Sequence, residues 1–222
     1  MRTIPAFAVG ALLFLPITQS RADSIDLVAG ASSESSPLGD FSATLTYTVD
    51  SGGTSATLLL SITNTSNPSN GGYLTAVAFD TNGLTVDGFS SSSGNFSLVT
   101  GAINTQPFGT ADFGASATTN GPASNHWVGG GNPSGGLSVG SSATFTWTLS
   151  GSVGGLTASD FSGVLVRFRG FEDGGSDKRV GTPGKPNNPV PEPSSIALAF
   201  LGAGAVLARR RRQAQAEATE QA

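Results

Sequence analysis

Four stretches of this chain alternate apolar and polar residues with a period of two. Ala43, Leu45, Tyr47 and Val49 are interleaved with Thr44, Thr46 and Thr48. Ala56, Leu58, Leu60 and Ile62 are interleaved with Thr57, Leu59, Ser61 and Thr63. Ala143, Phe145, Trp147 and Leu149 are interleaved with Thr144, Thr146 and Thr148. Val164, Val166 and Phe168 are interleaved with Leu165, Arg167 and Arg169. A period of two sends successive side chains to opposite faces of a strand, one face to a core and one to water. The β-branched threonines suit that pleated surface. Shorter strands are expected at residues 74–79, 84–89, 96–99 and 108–113. Turn-forming clusters separate the runs: Asp50-Ser51-Gly52-Gly53, Asn67 to Gly72, and Asn82-Gly83, the last read as a hairpin turn between Phe79 and Leu84. Many short strands so spaced predict an all-β fold, a single β-sandwich of the immunoglobulin or jelly-roll-like kind. The Gly-, Asn- and Ser-rich stretch from Ala115 to Gly140 reads as a long loop.

Charge narrows the partners. Between Ala22 and Val166 there is no Lys or Arg, while nine acids fall in that stretch. Such a surface disfavours nucleic acid and anionic lipid, both of which are held through cations. The chain has no cysteine, which excludes disulfides, a thiolate nucleophile and a cysteine metal site. Stability must come from packing and sheet hydrogen bonds.

The two ends differ from the middle. Met1 to Ala22 has a basic residue at Arg2, an apolar stretch from Ile4 to Ile17, a helix breaker at Pro16 and small residues in Ser20-Arg21-Ala22. That is the layout of a secretory signal peptide, with cleavage expected between Ala22 and Asp23. At the other end Pro191, Glu192 and Pro193 precede an apolar run, Ile196 to Ala208, which is followed by Arg209, Arg210, Arg211 and Arg212. The two prolines hold the chain extended and present Glu192 on accessible backbone. The apolar run is thirteen residues long. As a helix it spans about 20 Å, short of a hydrocarbon core of about 30 Å. Gly202 and Gly204 weaken it further and allow close approach of another helix. Four arginines just past it place the C-terminus in the cytoplasm and residues before Ser194 outside.

These C-terminal residues resemble the PEP-CTERM family of exported bacterial proteins. The resemblance rests on Pro191-Glu192-Pro193, the apolar segment and the arginine cluster, and covers about the last tenth of the chain. It implies processing by exosortase, a membrane enzyme of exopolysaccharide-producing Gram-negative bacteria. Export further implies the Sec translocon and signal peptidase as partners. It also implies transient residence of the short helix in the inner membrane before delivery to the cell surface or beyond. The expected organisation is signal peptide 1–22, extracellular β-sandwich 23–180, a Pro/Gly/Asn spacer 181–190, sorting signal 191–212 and cytoplasmic tail 213–222.

Candidate sites in the body are few. Glu172, Asp173 and Asp177 lie in a Gly-rich turn and offer oxygen ligands for Ca²⁺. The competing reading is a solvated hairpin tip, with Lys178 and Arg179 offsetting the charge. His126 is the lone histidine and cannot build a zinc site by itself. Trp127 beside it, together with Tyr73, is a candidate sugar-stacking pair; the alternative for Trp127 is packing at the sheet edge. Asn64-Thr65-Ser66 and Asn95-Phe96-Ser97 fit the glycosylation pattern. The expected role is non-enzymatic, that of a structural surface or matrix protein associated with exopolysaccharide and with no cofactor. A carbohydrate-binding module is the alternative, and a hydrolase ranks below both.

Overall fold

A computed structural model describes residues 20–117 and 132–184. The strands are β1 (Arg21–Ser32), β2 (Phe41–Val49), β3 (Ser55–Asn64), β4 (Gly71–Phe79), β5 (Thr85–Ser91), β6 (Ser97–Asn104), β7 (Thr110–Ser116), β8 (Leu137–Ser138), β9 (Ser142–Ser150), β10 (Leu165–Phe171) and β11 (Ser176–Pro183). Short 3₁₀ turns fill several connections, and no α-helix occurs among the described residues. The fold is all-β, as the alternation predicts.

The expected pair of separate sheets is replaced by one sheet. All strands join in the order β5-β9-β3-β2-β1-β11-β10-β4-β7-β6, with β8 also on β4. Every pairing is antiparallel. The sheet folds over so that its two halves face each other, and β1 against β11 is the seam that joins them. Sequence patterning shows which face is apolar but not whether two layers are hydrogen-bonded at one edge. That depends on β1 and β11, which the patterning misses, as it also misses the two-residue strand β8 inside the expected loop 115–140.

Between the halves lies the core. Leu45, Tyr47, Leu58, Leu60, Phe145 and Trp147 point inward from one half, and Leu74, Val77, Phe79, Phe113, Val166 and Phe168 from the other, all essentially without solvent contact. Trp147 is the joint. Its indole meets Phe79 edge-on at 5.3 Å and Phe113 edge-on at 5.8 Å, while those two rings stack at 5.4 Å. Edge-to-face geometry is what the ring quadrupoles favour. Tyr47 stacks on Phe161 at 5.4 Å, and its hydroxyl donates to the Val153 carbonyl at 3.0 Å. Strands β4 and β7 approach so closely that a Cβ on Gly114 would sit 2.0 Å from the Val77 carbonyl oxygen.

Turn chemistry is correct in conformation and wrong in one connection. Asp50 closes the β2–β3 hairpin by accepting from the Thr54 and Ser55 amides and the Ser55 hydroxyl. Those bonds hold its carboxyl below the usual range, the Ser55 hydroxyl contributing most. Asn82 and Gly83 both have positive φ, 52° and 82°, and the Leu84 amide donates to the Thr81 carbonyl at 3.0 Å. That is the twisted turn Asn-Gly favours. It is not a hairpin, however: β4 pairs with β10, β7 and β8, and β5 pairs with β9. The turn carries the chain from one half of the sheet to the other. Asp112 holds it from outside, accepting from the Thr81 amide and hydroxyl at 2.9 Å each.

The antiparallel registers fix which loops share an end. The start of β1 and the finish of β11 lie at one end, with the β2–β3 hairpin and the β4–β5 turn. The opposite end carries the turn after β10, the β3–β4 connection, and Ala117 and Asn132, which flank the undescribed stretch 118–131.

Candidate functional site

The proposed cation ligands separate. The carboxylate of Asp177 turns away from Glu172 and Asp173 and is buried. It accepts from the Ser32 hydroxyl at 2.6 Å, the Ser33 hydroxyl at 3.5 Å and the Gly39 amide at 3.1 Å. Asp173 accepts from the Gly175 amide at 2.7 Å and closes its own turn. Strand alternation is the cause: Asp177 faces inward opposite Phe168, while Glu172 and Asp173 stay in the exposed turn. Among the described residues no three His, Cys, Asp or Glu side chains gather to hold a metal.

Glu172 and Asp173 lie in the exposed tip of the β10–β11 hairpin, and the residues that follow on β11 form a clamp. Arg179 on β11 donates to the Gly39 carbonyl at 2.7 Å and the Gly30 carbonyl at 2.8 Å, so Asp177 and Arg179 together bind down the β1–β2 loop. Tyr73 is half-buried on β4, in register between Ser138 and Arg169. His126 and Trp127 lie outside the described residues. Asn64 fits the glycosylation pattern but is fully buried, its amide donating to the Leu137 carbonyl at 2.9 Å. Asn95 is exposed and donates to the Gly135 carbonyl at 3.1 Å.

The outer faces of the two halves are chemically distinct. On β1, β2, β3 and β9 the outward positions fall in register: Ser24-Thr46-Leu59-Thr146, Asp26-Thr44-Ser61-Thr144, and Val28-Ser42-Thr63-Ser142. Hydroxyls bond along these rows, Thr44 to Asp26 at 2.8 Å, Thr63 with Ser142 at 2.7 Å and Ser24 with Thr46 at 3.1 Å. The last two rows line a shallow open trough of about 550 Å³. The other half turns a second apolar cluster outward, built from Ala76, Ala78, Val99, Ile103, Ala111 and Leu165, and Phe108 from the β6–β7 loop packs over it. Arg167, Arg169 and Lys178 sit on this half, with Arg167 directly across from Lys178. Lys178 Nζ donates to the Gln106 carbonyl and pins the covering loop. Desolvation, with Arg169 adding, lowers the Arg167 guanidinium to about 10. Desolvation, with Arg167 adding, also lowers the Lys178 amine, against the opposing pull of Glu34.

The two segments expected to direct export flank this body in sequence. Expected cleavage after Ala22 would remove the pairs Arg21–Val49 and Ala22–Thr48 and leave Asp23 opposite Tyr47. The Asp23 carboxylate accepts from the Ala158 amide at 3.0 Å. Strand β11 runs through Pro183, opposite Leu27, into the stretch expected as spacer. Pro191, Glu192, Pro193, the apolar segment Ile196 to Ala208 and Arg209 to Arg212 lie outside the described residues. Among the described residues no helix is long and apolar enough to cross a membrane.

The family model of the PEP-CTERM protein-sorting motif matches residues 189–212. The chain carries a PEP-CTERM sorting motif. The match takes in Pro191 to Pro193, the apolar segment and all four arginines. The PEP-CTERM motif marks an exported protein whose processing partner is exosortase and whose route to the cell surface passes through the membrane. No curated protein matches the chain.

Proposed function

We propose that this is a non-catalytic surface or extracellular-matrix protein, delivered by a cleaved signal peptide, processed by exosortase, and structural in role among exopolysaccharide. The sorting motif at residues 189–212 carries the reading. The body is consistent with it in the use it makes of its acids. Asp23, Asp50, Asp112, Asp160, Asp173 and Asp177 each accept from backbone amides that need a partner. Carboxylates so committed act as structural caps.

The processing reading is tested at Glu192. In cells carrying the exosortase, Glu192→Ala should leave the full-length precursor in the membrane fraction while the unaltered chain is shortened. Equal maturation of the two on an immunoblot would count against recognition through the Pro-Glu-Pro strip.

A further inference from the structure

We infer that the trough across β1, β2, β3 and β9 is a docking surface for an uncharged, extended polysaccharide. The inference deepens the proposed matrix role and rests on it for its biological setting. Its physical basis is separate and lies in the outward rows of this half-sheet.

Two adjacent rows form the floor. Asp26, Thr44, Ser61 and Thr144 make one, and Val28, Ser42, Thr63 and Ser142 the other. Neighbouring strands lie ~4.8 Å apart, so the first row offers a polar group at that interval over about 14 Å and the second, which begins at Val28, over about 10 Å. That interval is close to the repeat of pyranose units in an extended glycan, so a chain lying across the strands meets one such group per sugar. Each Ser or Thr hydroxyl can donate once and accept twice. The bonds from Thr44 to Asp26 and between Thr63 and Ser142 use only part of that capacity. They also hold the hydroxyls in place before a ligand arrives, which lowers the ordering cost of binding.

Charge selects the occupant. No Lys or Arg lines the trough, and its single carboxylate, Asp26, already accepts from Thr44. A uronate or sulfated polymer finds no cation there. A protein partner is poorly matched too, because the docking centre of such interfaces is apolar and aromatic. Every aromatic ring on β2, β3 and β9 faces the core: Phe41, Tyr47, Phe145 and Trp147 are all buried. The apolar surface that remains is Val28, 44% exposed, and the threonine methyls, which suit the C–H faces of a sugar. With no ring to stack on, a single trough binds weakly, with Kd on the order of 1 mM. Many copies on one cell surface multiply that by avidity.

The test uses the full chain in detergent, sedimented with insoluble neutral β-glucan or with calcium alginate gel, at low and high salt. Retention on the β-glucan, insensitive to salt, and none on alginate is the expected result. The triple variant Thr44→Val, Thr63→Val, Thr144→Val keeps side-chain shape. It should lose retention by at least about tenfold with an unchanged melting temperature. Ser61→Arg, which fills the trough and adds a cation, should abolish β-glucan retention and create retention on alginate. Equal retention of the triple variant, preference of the unaltered chain for alginate, or adsorption to ice in place of glycan would each overturn the inference. None of these readings depends on processing, so failure at Glu192 would sink the sorting role and leave the trough standing, and the reverse.

Discussion

The two halves of the sheet share one backbone pattern and differ in what they turn outward. The half from β5 to β1 presents hydroxyls that bond to one another and stay in water. The half from β11 to β6 presents alanine, valine and isoleucine, and must therefore be covered. Phe108 and the loop pinned by Lys178 do the covering. The difference shows how little separates a free face from a third layer. Threonine at the alternate positions leaves a strand pair finished, whereas small apolar residues there call for another segment of chain.

The sharpest way to break this comparison is at the residue both halves share. Trp147→Ala removes the contacts to Phe79 and Phe113 across the core. It should cost about 3–5 kcal/mol, read as a fall in the denaturant midpoint. Survival of a cooperative transition near the original midpoint would mean that the halves do not depend on each other through this ring.

Next in size is the seam. Asp177→Ala leaves the Gly39 amide and the Ser32 hydroxyl without their acceptor. The expected loss is about 1–3 kcal/mol, with faster amide exchange confined to residues 33–40. Uniform exchange across both halves would instead make the seam part of the global unfolding unit.

A matched pair of substitutions compares the outer faces directly. Val99→Thr buries a hydroxyl in the covered cluster and should cost about 1–3 kcal/mol. Thr144→Val on the free face should change stability by less than about 0.5 kcal/mol. Similar values for the two would erase the distinction between covered and free faces.

A single hydrogen bond and its pH dependence test the free-faced half from inside. Burial, with Asp160 adding, raises the Tyr47 phenol above its ordinary value. The folded state therefore favours the protonated phenol more than the unfolded chain does. This contribution is fully present below the unfolded value, about 10, and is lost as pH rises through the raised folded value. Tyr47→Phe should cost about 1 kcal/mol at neutral pH through the lost bond to Val153. It should also flatten the alkaline fall in stability.

Much of the free-faced half is legible from the chain alone, because β2, β3 and β9 alternate cleanly and their inward residues are large and apolar. The seam is not legible in the same way. Strand β11 turns Asp177 inward. Strand β1 does alternate, with Ile25, Leu27 and Ala29 inward and Ser24, Asp26 and Val28 outward. Its pairing with β11, however, joins residues as distant as Val28 and Thr182, 154 positions apart, and no local pattern announces that. The Asn82-Gly83 turn makes the same point on a smaller scale. Its local conformation follows from residue type, but which strands it joins is decided by pairings made elsewhere. The candidate Ca²⁺ set fails for a related reason: closeness in sequence does not survive alternation of side chains across a strand. The trough is not legible from the sequence because it needs the register of four strands at once, although the threonines that help build it are the plainest pattern in the chain.

The final strand is gripped on both edges, by β1 and by β10, and the sorting tail continues from its end. Bonds of an antiparallel ladder run across the strands, so tension drawn down the tail loads them all together, in shear. A pull along that tail therefore reaches the fold at a strand held by two ladders at once, whereas a strand peeled from an open edge would unzip bond by bond.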